Sequence, residues 1–86
     1  MPASTVTLIG KPGCHLCEEA REVVDRVLDG LGRDGVDVRL VERSILDEPA
    51  LAAAYAEDIP VVLVDDRVHG RWRIDADRLR AELTGR

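Results

Sequence analysis

With 86 residues the chain suffices for one domain, 1–86, near the lower limit of what folds unaided. Its 45% apolar and 34% charged residues exclude a disordered chain. A net charge of −5 argues against nucleic acid as the partner, and no run approaches the ~20 apolar residues of a membrane span. Met1–Ser4 shows no basic start with an apolar run behind it, so no secretory leader is read and the cytoplasm is the expected compartment. Phe is absent, and a core must come from Val, Leu, Ile and Ala.

Thr5-Val6-Thr7-Leu8-Ile9 is a β-branched run closed by Gly10 and reads as the first strand. Lys11-Pro12-Gly13 is a loop, and Lys11 is the only lysine of the chain. Cys14-His15-Leu16-Cys17 then opens a helix, and these are the only two cysteines. Residues three apart on a helix share a face, so the two sulfurs come within bridging reach. The loop they would close is too short to stabilise a fold by removing unfolded-chain entropy, which leaves redox chemistry or metal binding as their purpose. A Cys-x-x-Cys at a strand-to-helix junction in a small α/β chain reads as a redox motif.

Leu16, Ala20, Val23, Val24, Val27, Leu28 and Leu31 recur at steps of three and four, the stripe of an amphipathic helix, and Gly30 and Gly32 are read as its end. Val36, Val38 and Leu40 alternate with Asp37 and Arg39 as a half-buried second strand, with Glu42–Leu46 as connector. Asp47-Glu48-Pro49 predicts a second helix start, continued by the Ala-rich run to Ala56, where Tyr55 is a packing residue. Val61–Val64 is apolar throughout and predicts a central strand, and Asp65-Asp66 is a turn. In the returning strand Val68, Gly70, Trp72 and Ile74 share one parity, while Arg67, His69, Arg71 and Arg73 share the other. This predicts an edge strand with Trp72 packed inward and His69 exposed, its arginines discouraging edge pairing. Docking of substrate on Trp72, and of an acidic partner on Arg71 and Arg73, are the alternatives. Asp75 is a predicted N-cap for a last helix carrying Leu79, Ala81 and Leu83.

The order β-α-β-α-β-β-α, with Lys11-Pro12-Gly13-Cys14-His15-Leu16-Cys17 after the first strand and Asp58-Ile59-Pro60-Val61 before the third, resembles the thioredoxin fold. More narrowly, the chain is similar to short glutaredoxin-like proteins over nearly its whole length. The resemblance implies an α/β fold with a four-stranded mixed sheet flanked by helices. It implies Cys14 and Cys17 as catalytic; the exposed amides and positive dipole at the helix start assign Cys14 as the attacking thiolate, with Cys17, one turn deeper, resolving. It implies Lys11, Ile59, Pro60 and Val61 as substrate-binding, with Pro60 in a cis peptide bond. His15 is the residue expected to tune the redox poise. Two positions depart from the glutaredoxin pattern. His15-Leu16 stands where a Pro-Tyr pair is usual, and Gly70 stands alone where Gly-Gly is usual.

The implied activity is thiol–disulfide exchange, reducing disulfides of proteins or small thiols in electron transport. No cofactor is expected to be tightly bound. A low-molecular-weight thiol such as glutathione, or a reductase, is the implied electron donor, and the chain is expected to be a monomer. The alternative is a carrier module in which the same cysteines hold an iron–sulfur cluster shared between two chains. A closed zinc site drawing on His15 and His69 is the remaining metal arrangement, although structural zinc normally takes four ligands.

Overall fold

The computed structural model describes residues 4–85. Met1–Ala3, on which the absence of a leader was read, and Arg86 lie outside the described residues. The elements are β1 (Ser4–Gly10), α1 (His15–Arg33), β2 (Val38–Ser44), α2 (Pro49–Tyr55), β3 (Val61–Val64), β4 (Arg67–Arg71) and α3 (Ala76–Thr84). The sheet runs β2-β1-β3-β4, with β2 parallel to β1 and the other neighbours antiparallel. This is the α/β thioredoxin architecture expected from the element order.

Alternation along the two central strands assigns the two faces. Val6, Leu8, Val62 and Val64 meet Ala20, Val24, Val27 and Leu31 of α1 and Leu79 and Leu83 of α3. On the opposite face Ile9, Val61 and Ile45 pack with Leu51, Ala52 and Tyr55 around α2. Aliphatic residues thus fill both interlayer spaces. No described helix is long and apolar enough to cross a membrane.

Three boundaries differ from the pattern reading. Helix α1 runs through Gly30 and Gly32 and ends instead in a Schellman motif. Val36 N–H donates to the Leu31 carbonyl at 2.8 Å, Gly35 N–H donates to the Gly32 carbonyl at 3.1 Å, and Gly35 takes φ +84°. Gly30 is buried because α3 lies close there: a Cβ on it would stand 2.5 Å from the Arg80 guanidinium.

Strand β2 starts later and continues through the segment read as a connector. Its partner β1 offers backbone groups as far as Gly10, which pairs with Ser44, so the ladder continues although the side chains stop alternating.

The third difference is in β4. Val62 pairs with Gly70 and Leu63 with Val68, which leaves His69 as the extra residue of a β-bulge. A bulge breaks period-two alternation. The His69 side chain therefore turns in, only 3% exposed, with Nδ1 2.7 Å from Glu82 Oε1 of α3. Trp72 lies beyond the end of the strand and is 52% exposed rather than packed inward.

The turn Asp65-Asp66 has φ of 49° and 71°, the left-handed pair that a two-residue hairpin demands. Asp75 caps α3 as expected, its Oδ1 accepting from Asp77 N–H at 2.9 Å and Arg78 N–H at 3.2 Å.

Candidate functional site

The site is built where β1 hands over to α1. Strand β1 ends at Gly10, and Lys11, Pro12 and an exposed Gly13 at φ +75° reverse the chain into the helix. Cys14 is the N-cap of α1, with extended backbone (φ −96°, ψ 112°). Its Sγ accepts from the Cys17 backbone N–H at 3.2 Å, the place a Ser or Asp oxygen takes in an ordinary cap. The sulfur therefore sits at the positive end of a helix of 19 residues, beside amides that lack intrahelical partners.

Cys17 lies in the first turn, 8% exposed, and is joined to Cys14 by a disulfide with a Cα–Cα separation of 5.2 Å. Gly10 makes this seat available: a Cβ there would lie 2.9 Å from Cys17 Sγ and 3.2 Å from its Cβ. One flank of α1 at this level borders a cleft of about 390 Å³ whose lining includes Gly10, Lys11, Cys17, Arg21, Arg43 and Ser44. Arg21 is paired to Glu42 at 3.3 Å, and Arg43 to Glu48 at 3.6 Å.

The other flank faces the chain that follows β4. Leu16, Glu19, Ala20 and Val23 line a smaller groove against Trp72, Arg73 and Ile74. The Ile59–Pro60 peptide bond is cis, and the Pro60 side chain is fully buried. Its carbonyl accepts from Trp72 N–H at 2.8 Å, which ties the turn before β3 to the bend after β4. Val61 is buried in the α2-side cluster, and Ile59 packs against that cluster.

A family model described as a glutaredoxin-like domain (DUF836) matches residues 5–84. The chain belongs to the glutaredoxin-like family. It is 31% identical over 83 residues to the uncharacterized protein Rv0508 of Mycobacterium tuberculosis, covering 96% of this chain and 86% of that one. A solved structure from X. campestris, target protein XcR50, superposes with a TM-score of 0.71 at 31% identity, covering 94% of this chain and 97% of that one. Chloroplastic thioredoxin z shares the fold with a TM-score of 0.74 at 13% identity, over 95% of this chain and 76% of that one.

In this glutaredoxin-like domain the described residues expected to form the site are distributed unevenly. Cys14 and Cys17 are bonded to each other, and Lys11 lines the cleft beside Cys17. The His15 imidazole is turned outward, its Nε2 3.4 Å from Glu19 Oε2. The zinc arrangement does not assemble, since His15 lies on this exposed face and His69 is buried against Glu82. Among the described residues no group of three or more His, Cys, Asp or Glu side chains could hold a metal ion.

The pattern reading missed Gly10, Glu19, and the fixed exposure of Trp72. Gly10 carried a signal, since a glycine closing a strand one loop before a cysteine is a place for close approach. The position of Trp72 carried none, because it depends on a bulge and a left-handed residue in β4 and its bend.

Proposed function

We propose that this glutaredoxin-like domain is a thiol–disulfide oxidoreductase in which Cys14 attacks and Cys17 resolves. The observation that carries the reading is the seat of Cys14, at the N-cap of α1 with an amide donated to its sulfur and Cys17 within bonding distance. Donated amides and the positive helix end favour a thiolate over a thiol, and the thiolate is the nucleophile.

The exchange conserves electrons at each step. The Cys14 thiolate attacks one sulfur of a substrate disulfide R–S–S–R′, forming Cys14–S–S–R and releasing R′S⁻. The Cys17 thiolate then attacks Cys14 Sγ, releasing RS⁻ and leaving the Cys14–Cys17 disulfide. Two electrons pass from the dithiol to the substrate. Two equivalents of a low-molecular-weight thiol, or a reductase, restore the dithiol. Lys11 adds positive charge at the cleft; of the Ile59, cis-Pro60 and Val61 segment, the Ile59 backbone is the substrate-pairing group in this reading, since the Pro60 carbonyl is held by Trp72 N–H and Val61 is paired within the sheet. The substrates are disulfides of proteins or small thiols, and the activity belongs to the cytoplasm.

The test is turnover of 2-hydroxyethyl disulfide and of a peptide disulfide by the parent, Cys14→Ser and Cys17→Ser. Cys14→Ser should lose both activities. Cys17→Ser should accumulate mixed disulfides at Cys14, visible by mass. Full turnover by Cys14→Ser would overturn the assignment.

A further inference from the structure

We propose that Trp72 and Arg73 form a docking ledge for the polypeptide of a protein disulfide, and so set substrate choice. Trp72 takes an apolar residue next to the substrate cysteine, and Arg73 takes a nearby carboxylate. The proposal rests on the oxidoreductase reading above and names the substrate class for it.

Trp72 has φ +61°, a conformation that L side chains rarely adopt and a bulky residue adopts least readily. Backbone outliers of this kind cluster at functional sites, where the surrounding structure holds them in place. Here the holding contacts are specific. Trp72 N–H donates to the Pro60 carbonyl at 2.8 Å, and its indole Nε1–H donates to the Glu57 carbonyl at 3.3 Å. The ring is thus fixed by both its backbone and its polar edge, yet 52% of the residue stays exposed. A rigid, half-exposed indole with its polar atom already satisfied presents apolar surface at small entropic cost, as an interface anchor must.

The groove beneath the ring selects the occupant. Leu16, which stands between the two cysteines, lines it together with Ala20, Val23 and Ile74. Its volume of about 90 Å³ is far below what encloses a whole small-molecule ligand but suits one apolar side chain. Such a side chain reaches it from an extended chain whose cysteine is bonded to Cys14.

The charge at the rim is also open. Arg73 is 80% exposed, and its described ion pair, to Glu19, spans 3.8 Å. That is too long for a hydrogen bond, so the guanidinium donors are available to a carboxylate. Exposed pairs of this kind contribute little, so exchanging Glu19 for a partner's carboxylate costs little.

The test uses two seven-residue peptides, each as a mixed disulfide with 2-mercaptoethanol. One carries Leu next to its cysteine and Glu two residues on; the other carries Ser and Gln there. The parent should prefer the first in kcat/KM by roughly tenfold or more. Trp72→Gly keeps the backbone conformation and removes the ring, so it should abolish the part of the preference due to Leu. Arg73→Gln should abolish the part due to Glu, while Arg39→Gln on the far edge strand should keep all of it.

Trp72 is the only tryptophan, which gives a second readout independent of turnover. The Leu/Glu peptide with its cysteine replaced by serine should shift the fluorescence of the oxidised parent at concentrations where the Ser/Gln peptide does not. Equal turnover of both peptides with no fluorescence shift would overturn the ledge. A fluorescence shift without turnover of any disulfide would leave the ledge standing and sink the oxidoreductase reading instead.

Discussion

Gly10→Ala tests whether the seat of Cys17 is as tight as its surroundings indicate. An added Cβ would meet Cys17 Sγ at 2.9 Å and Cys17 Cβ at 3.2 Å, while the Gly10 carbonyl holds Ile45 N–H at 3.0 Å and limits how far the backbone can retreat. In a site without a clash, Gly→Ala stabilises by ~0.4–1 kcal/mol through the unfolded chain. Overpacking of a tight site costs ~1–3 kcal/mol. The clash wins, and the oxidised protein should lose about 1–2 kcal/mol. For a domain of this length each kcal/mol is worth roughly 4–8 °C in Tm.

The same substitution should act unequally on the two redox states. The disulfide holds Cys17 Sγ against Gly10, whereas a free thiol can rotate away and leave only the milder contact with Cys17 Cβ. If about 1 kcal/mol of the penalty is confined to the oxidised form, the reduction potential rises by roughly 20 mV, since ~30 mV corresponds to ~1.4 kcal/mol for two electrons. Redox titration with thiol trapping and melts of both states measure this directly. An unchanged potential with equal destabilisation of both states would refute the reasoning, and so would an oxidised Tm above the parent's.

Four further outcomes are expected. Gly32→Ala, in an exposed helical position with nothing within 4 Å of its added Cβ, should stabilise by about 0.5–1 kcal/mol in chemical denaturation. Asp75→Ala removes the cap that receives two amides of α3 and should cost about 0.5–2 kcal/mol by the same measurement. Glu82→Leu leaves the buried His69 ring without its partner and should cost about 1–3 kcal/mol, with Glu82→Gln closer to the parent because it keeps an acceptor oxygen. In the reduced protein, alkylation of Cys14 should show its pH midpoint below the ~8.5 of an ordinary thiol, and a midpoint at or above that value would remove the electrostatic role given to the α1 N-terminus.

What the sequence made legible follows from which signals are local. The Cys14–Cys17 spacing, the Val23–Leu31 stripe, the apolar run Val61–Val64 and the Asp75 cap each depend on neighbours within a turn or a strand, and each lies where the pattern indicated. The end of α1 was misread because Gly30 and Gly32 look like terminators locally. Their glycine character has another setting: Gly30 lets Arg80 of α3 lie across the helix, and the terminator is Gly35, the residue in the left-handed region. Strand β2 was cut short because its far half is kept in the sheet by the backbone of β1, which has no trace in the residues of β2 itself. In β4 and its bend the arginines face outward as expected, but a single bulged residue turns His69 in and leaves Val68 and Trp72 exposed, and no composition rule marks His69 as that residue.

The bulge bears on the chemistry. Had β4 alternated regularly, Trp72 would lie in the core and His69 at the surface, leaving the bend beside Pro60 without an aromatic side chain. The bulge instead buries an imidazole against α3 and leaves Trp72 exposed beside the groove that Leu16 lines, its backbone N–H on the Pro60 carbonyl and its indole N–H on the Glu57 carbonyl. The geometry of α1 completes the division. At about 100° per residue, positions 17, 18 and 21 border the larger cleft while 16, 19, 20 and 23 border the groove under Trp72. The disulfide therefore stands between a cleft large enough for a small molecule and a groove sized for one side chain. In the proposed exchange a small-thiol reductant and a side chain of a polypeptide substrate differ in size in the same sense. Under that proposal, a redox pair that meets both in turn gains from keeping their approaches on separate flanks of one helix.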